Sequence, residues 1–188
     1  MDDQLFIQNC KLLGLKKLPC EYDCFIKKAE DENMGFYQFI NYIVEIEASA
    51  KKERSIAYRI YMSRLPTPLK LLADFDFSFQ PSINKKLIMD LATMNFMKNR
   101  DSVLFIGDCG VGKSHLAQSL TVLACQHGYR VLYTTCASLV HDLNIGVYEK
   151  TMMDRIKKYI SYDLLLTDEM GHDRLELEVV KEAHLLFK

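Results

Sequence analysis

The chain has 188 residues, which at about 150 residues per domain is one full domain or one domain with a small appendage. Hydrophobic residues make up 49% and charged residues 26%, which excludes the polar class that stays disordered, and a net charge of -1 provides no global attraction to nucleic acid. No apolar run approaches the roughly eighteen residues of a membrane span, and the opening MDDQLFIQNC carries acid where a secretory signal carries base, so a cytoplasmic location is expected.

In chain order, residues 5–18 and 22–30 are helical candidates separated near Pro19, with Gly35 punctuating the second. Residues 36–65 place Phe36, Phe39, Ile40, Ile43, Ile46, Ile56, Ile60 and Tyr61 near helical spacing, which predicts one long helix or two. Pro66 and Pro68 then mark the main boundary, dividing an all-helical region, 1–66, from a second region, 67–188. After an aromatic loop, ADFDFSFQPSI, residues 84–99 return to helical period. From there the pattern alternates. Strands are predicted at 102–106 (SVLFI), 130–135 (RVLYTT) and 162–167 (YDLLLT), and helices at 113–127, 137–144 and 151–160. Such alternation predicts an α/β fold, a parallel sheet with helices on both faces.

Charge is uneven along the chain. Residues 51–100 hold 10 Lys and Arg against 4 Asp and Glu, between an acidic first fifty residues and an acidic last segment. A basic stretch of this kind suits phosphate backbones, and equally suits a solvated helix face. Six cysteines lie mostly in apolar segments and read as reduced thiols; Cys20 and Cys24, spaced C-x3-C without a second pair, are expected to be buried rather than to bind zinc.

Between the first predicted strand and its helix stand Gly107, Asp108, Cys109, Gly110, Val111, Gly112, Lys113 and Ser114, a complete G-x-x-x-x-G-K-S phosphate loop. The glycines let backbone N–H groups turn toward phosphates, and the helix start adds its positive dipole end. Lys113 is placed to neutralise the β and γ phosphates, and Ser114 to give its hydroxyl to Mg2+. Asp168 and Glu169 end the last predicted strand, at the sheet edge where α/β proteins hold ligands. There Asp168 is the candidate metal acid, and Glu169 the candidate base for an attacking water. His115 is expected to pack, or to support the site from behind, rather than to catalyse. Phe75, Phe77 and Phe79 read as core packing ahead of an adenine shelf.

The stretch RLPTPLKLLADFDFSFQPSINKKLIMDLATMNFMKNRDSVLFIGDCGVGKSHLA, with GYRVLYTTCASLV and DLLLTDEMG, resembles the IstB-type transposition helper ATPases, relatives of the DnaC helicase loader within the AAA+ class. The resemblance implies a P-loop NTPase that binds ATP and Mg2+, works as a homo-oligomer on DNA without strong sequence preference, and directs a transposase; a helicase partner or a catalytically silent remnant are the competing readings. It also places the family's basic helix at Lys51, Lys52, Arg54, Arg59 and Arg64. Asp108 and Cys109 replace the more usual paired prolines of the loop. In this family a sensor strand lies between the phosphate-loop strand and the Asp168 strand, and with an arginine finger and a lid it would fall beyond Lys188. The expectation is therefore either a truncated chain with an incomplete sheet, its phosphate-loop strand and Asp168 strand about 9.6 Å apart and unable to pair, or a chain that closes its sheet differently, and slow hydrolysis with Arg174 as the only arginine after the acidic pair.

Overall fold

A computed structural model describes residues 3–170. The chain divides into two compact units, Met1–Ala57 and Tyr58–Lys188. The first contains α1 (Asp3–Leu12), α2 (Leu18–Asp31) and most of α3 (Phe36–Met62). Sequence periodicity carried the first helix to residue 18, but it stops at Leu12 because Gly14 adopts the left-handed φ of 72° that ends helices, and Leu15 N–H closes back on the Cys10 carbonyl at 2.9 Å. Pro19, expected as a separator, lies in the first turn of α2, where its missing N–H costs no helical bond. Phe25 packs edge-on against Tyr42, with ring centroids 5.8 Å apart.

One buried charge organises this unit. Glu47 of α3 is only 6% exposed, and its carboxylate accepts the Leu18 N–H at 2.6 Å and the Lys16 N–H at 3.0 Å, capping the start of α2. Burial pushes its pKa upward, but the N–H groups of Leu18, Lys16 and Lys17 and the Arg54 charge outweigh this and hold it below the usual value.

In the second unit, α4 (Lys85–Leu91) starts at Asn84, whose side chain accepts the Leu87 N–H. Residues 84–99 are not the single expected helix. Met94 turns left-handed, φ 61°, and α5 (Asn95–Asn99) begins anew, because the break sends Met94 into the core at 1% exposure against Leu120, Ala124, Cys125 and Val131. Packing there overrides local helix continuity.

Next come α6 (Lys113–Gln126), β1 (Val131–Thr135), α7 (Cys136–Glu149), α8 (Met152–Ile160) and β2 (Leu164–Asp168). The two strands pair in parallel from Val131 opposite Leu164 to Thr135 opposite Asp168. Neighbouring residues on a strand face opposite sides. Val131 accordingly joins the core under α6, whereas Leu132 joins one formed with Leu139, Leu143, Met152 and Ile156 of α7 and α8. Helices thus cover both faces of a parallel pair, as the alternation predicts.

Residues 102–106 are the exception. They form no strand, and Leu104 and Ile106 are 68% and 85% exposed. A strand exists only through its ladder, and among the described residues nothing pairs with this segment. Cys10 and Cys125 are buried, but Cys20 and Cys24 are exposed on α2, contrary to the expectation of burial. No group of three His, Cys, Asp or Glu side chains is arranged to hold a metal among the described residues.

Candidate functional site

Two of the three motif glycines take backbone conformations that other residues rarely adopt. Gly110 has φ 80° and Gly112 φ 91°, both left-handed, and Gly112 is the N-cap of α6. Nothing stands within 4 Å of where a Cβ on Gly110 would be, so the loop leaves open space on that side. Lys113 folds over the loop, donating from Nζ to the carbonyls of Gly107 at 2.8 Å and Asp108 at 2.6 Å. Its ammonium therefore lies within the turn that the backbone describes. Asp108, Cys109 and Ser114 are exposed, and Val111 is half-buried.

The acidic strand end meets this loop across 54 residues of sequence. Ser114 Oγ donates to Asp168 Oδ1 at 2.9 Å, and the Glu169 N–H donates to the same oxygen at 2.9 Å. Glu169 is exposed and left-handed, φ 59°, a conformation that L residues rarely adopt and that its bond to Asp168 helps hold. A hydroxyl and a carboxylate at contact distance are hard oxygen donors. They suit a small divalent cation such as Mg2+ that takes its remaining ligands from water and phosphate rather than from a protein cage. The donor set and the open loop both fit a magnesium nucleotide.

One member of this corner is invisible in the sequence. Tyr133 of β1 directs its hydroxyl to Asp168 Oδ2 at 3.5 Å, the outer limit of a hydrogen bond. Burial, then the charges of Asp168 and Glu169, raises its pKa, so the hydroxyl stays a donor. Its strand neighbour in β2 is Leu166, two residues before Asp168, and only the register reveals the diagonal approach.

The aromatic loop contributes a second surprise. Phe75 and Phe77 are half-buried and stack edge-to-face at 4.9 Å, whereas Phe79 is 74% exposed. Phe75 packs against Gly112 and His115 rather than into either central core. His115, expected to pack, does so and also hydrogen-bonds through Nε2 to the Leu71 carbonyl at 2.9 Å.

Of the basic candidates, Lys51, Lys52 and Arg54 are exposed on α3. Arg59 is half-buried, with its guanidinium beside Gly128 and its charge acting on Cys125 at the C-terminal end of α6, a favourable place for a cation. Arg64 is exposed and left-handed, φ 58°, just after α3. Arg174 lies outside the described residues, and no helix among them is long and apolar enough to cross a membrane.

Comparison with known proteins identifies the family. The chain is 31% identical over 181 residues to the ATP-binding protein of insertion sequence IS5376 from Geobacillus stearothermophilus, covering 96% of this chain and 70% of the relative. It is 28% identical over 185 residues to the ATP-binding protein of insertion sequence IS232 from Bacillus thuringiensis subsp. berliner, covering 98% and 72%. The ATP-binding protein of insertion sequence IS21 from Pseudomonas aeruginosa is 30% identical over 177 residues, covering 94% and 65%. The family described as IstB-like ATP binding protein matches residues 8–188, a span that includes the loop, the acidic strand end and the aromatic linker. The chain therefore belongs to the IstB-like ATP-binding protein family.

Proposed function

We propose that this chain binds ATP with Mg2+ at residues 107–114 and serves as an ATP-dependent helper of DNA transposition in the cytoplasm, acting on DNA as a homo-oligomer beside a transposase. The observation that carries the nucleotide reading is the contact of Ser114 Oγ with Asp168 Oδ1 at 2.9 Å, which joins the two halves of a phosphate and metal site. Insertion-sequence relatives support a transposase partner over a replicative helicase.

In this reading the turn at Gly110 and Gly112 presents backbone N–H groups to the phosphates, and the first turn of α6 adds its dipole. Lys113 exchanges its two loop carbonyls for phosphate oxygens. Ser114 and Asp168 are the residues that would hold Mg2+, which when bound neutralises phosphate charge. Glu169 accepts a proton from the attacking water, and Tyr133 steadies Asp168 through Oδ2. The exposed Lys51, Lys52 and Arg54, with Arg59 and Arg64, are the proposed DNA contacts.

Calorimetry of ATP with Mg2+ tests the nucleotide reading. Lys113→Ala is expected to abolish measurable binding while the apo chain still folds and unfolds cooperatively. Unaltered affinity in that variant refutes the site.

A further inference from the structure

The phosphate-loop motif does not by itself explain why an aromatic linker lies against the helix that carries Lys113 and Ser114. Three contacts converge there. The Phe75 ring occupies the space that a side chain at residue 112 would need: a Cβ on Gly112 would stand 2.6 Å from Phe75 Cε2 and 3.0 Å from Cζ. The same ring meets His115 edge-on, with centroids 5.1 Å apart and planes at 81°. His115 is tethered in turn, since Nε2–H donates to the Leu71 carbonyl at 2.9 Å, and this acceptor fixes the neutral-ring proton on Nε2. Phe77 backs Phe75 from another side, with centroids 4.9 Å apart and planes at 69°.

We propose that Phe75, seated on Gly112 and braced by His115, is a positioning residue of the phosphate loop, and that the linker thereby sets the affinity for polyphosphate. This rests on the reading of residues 107–114 as the ATP site. The physical reason is the glycine content of the loop. Glycines give the turn its shape but lose more freedom than any other residue on being ordered. A loop held in shape before its ligand arrives loses less freedom on binding, and affinity rises accordingly. Gly112 is the pivot, because it has φ 91° and immediately precedes Lys113. A ring already engaged by Gly112, His115 and Phe77 acts on the loop rather than on a nucleotide base.

The experiment compares ATP with inorganic tripolyphosphate, each with Mg2+, by calorimetry on the full chain, and measures hydrogen exchange without ligand. Phe75→Ala is expected to weaken both ligands by the same factor, about tenfold, or about 1.4 kcal/mol. The Leu116 amide, which donates to the Gly112 carbonyl at 3.0 Å, and the amides that follow it in the first bonded turn of α6 should exchange faster while those of β1 do not change, a local effect that general loss of stability does not produce. Phe75→Leu keeps apolar bulk without the ring, guards against misfolding of the alanine variant, and should lie between it and wild type. Loss of ATP affinity with tripolyphosphate binding unchanged makes the ring a shelf for the base and overturns the proposal. Unchanged affinity for both, or unchanged exchange at Leu116 and the rest of the first bonded turn of α6, overturns it as well. If the wild-type chain binds neither ligand, the nucleotide reading itself falls and takes the proposal with it.

Discussion

Replacing Glu47 by Ala removes the side-chain acceptor of two backbone N–H groups at the start of α2, and the cost can be worked from their surroundings. A hydrogen bond to a charged group contributes about 1.5–3 kcal/mol when its donor has no ready substitute. Leu18 is half-buried and its bond is 2.6 Å long, so its share belongs at the upper end; Lys16 is exposed, so water replaces most of what it loses. The expected destabilisation is therefore about 2–3 kcal/mol. Glu47→Gln, which keeps one carbonyl oxygen for Leu18, should lose about half of this. The effect depends on pH with a definite sign. The folded pKa lies below the ordinary value of 4.5, so the contribution is fully present above that value and disappears as pH falls through the lower folded one. Urea unfolding at pH 7 and at steps down to pH 3, with hydrogen exchange to locate the loss at the start of α2, measures both claims. A Glu47→Ala variant within about 0.5 kcal/mol of wild type at pH 7, or an equal deficit at pH 3, would refute the capping argument.

Gly146→Ala should destabilise the second unit by about 1–3 kcal/mol in thermal unfolding. A Cβ there would lie 2.6 Å from Arg155 Cδ and 3.1 Å from Met152 Cα, and the latter cannot swing aside; stabilisation would show that α8 shifts freely. Tyr133→Phe is expected to raise the Mg2+ concentration needed for half-maximal ATP binding several-fold while leaving Mg2+-free nucleotide affinity unchanged. Titration at fixed ATP separates the two, and an equal change in both would assign Tyr133 to general packing. Neutralising Lys51, Lys52 and Arg54 together should reduce the slope of log DNA affinity against log salt by about 0.9 for each DNA phosphate that no longer meets a cation. An unchanged slope would leave these side chains as a solvated helix face.

The phosphate loop was legible because fixed spacing and a following helix encode it without reference to the rest of the fold. The strand ending in Asp168 was legible for a similar reason, since three consecutive leucines before an acidic pair fit a buried parallel strand. What escaped depends on partners distant in sequence. Residues 102–106 have strand composition, yet composition cannot supply a ladder. Met94 carries the period of a helix, and only the pocket formed by Leu120, Ala124 and Cys125 turns the chain at that point. Tyr133 reaches Asp168 through a register set by strand pairing. The contact of Phe75 with Gly112 appears only once a loop and a helix N-terminus have been brought together. Pro19 was a subtler case, because proline begins a helix as readily as it ends one.

The bond between Ser114 and Asp168 also bears on how the second unit survives in a cell. Its two ends bracket α6, both strands, α7 and α8, so any opening that parts β2 from β1 or frees the start of α6 also dismantles the corner. A ligand that requires both residues is therefore lost in openings of that kind, and mass action makes it a brace against them. At a hundred times its dissociation constant such a ligand adds about 2.7 kcal/mol to the stability of the closed form. Proteases that need the opened chain would then cut the ligand-bound form more slowly than the free one.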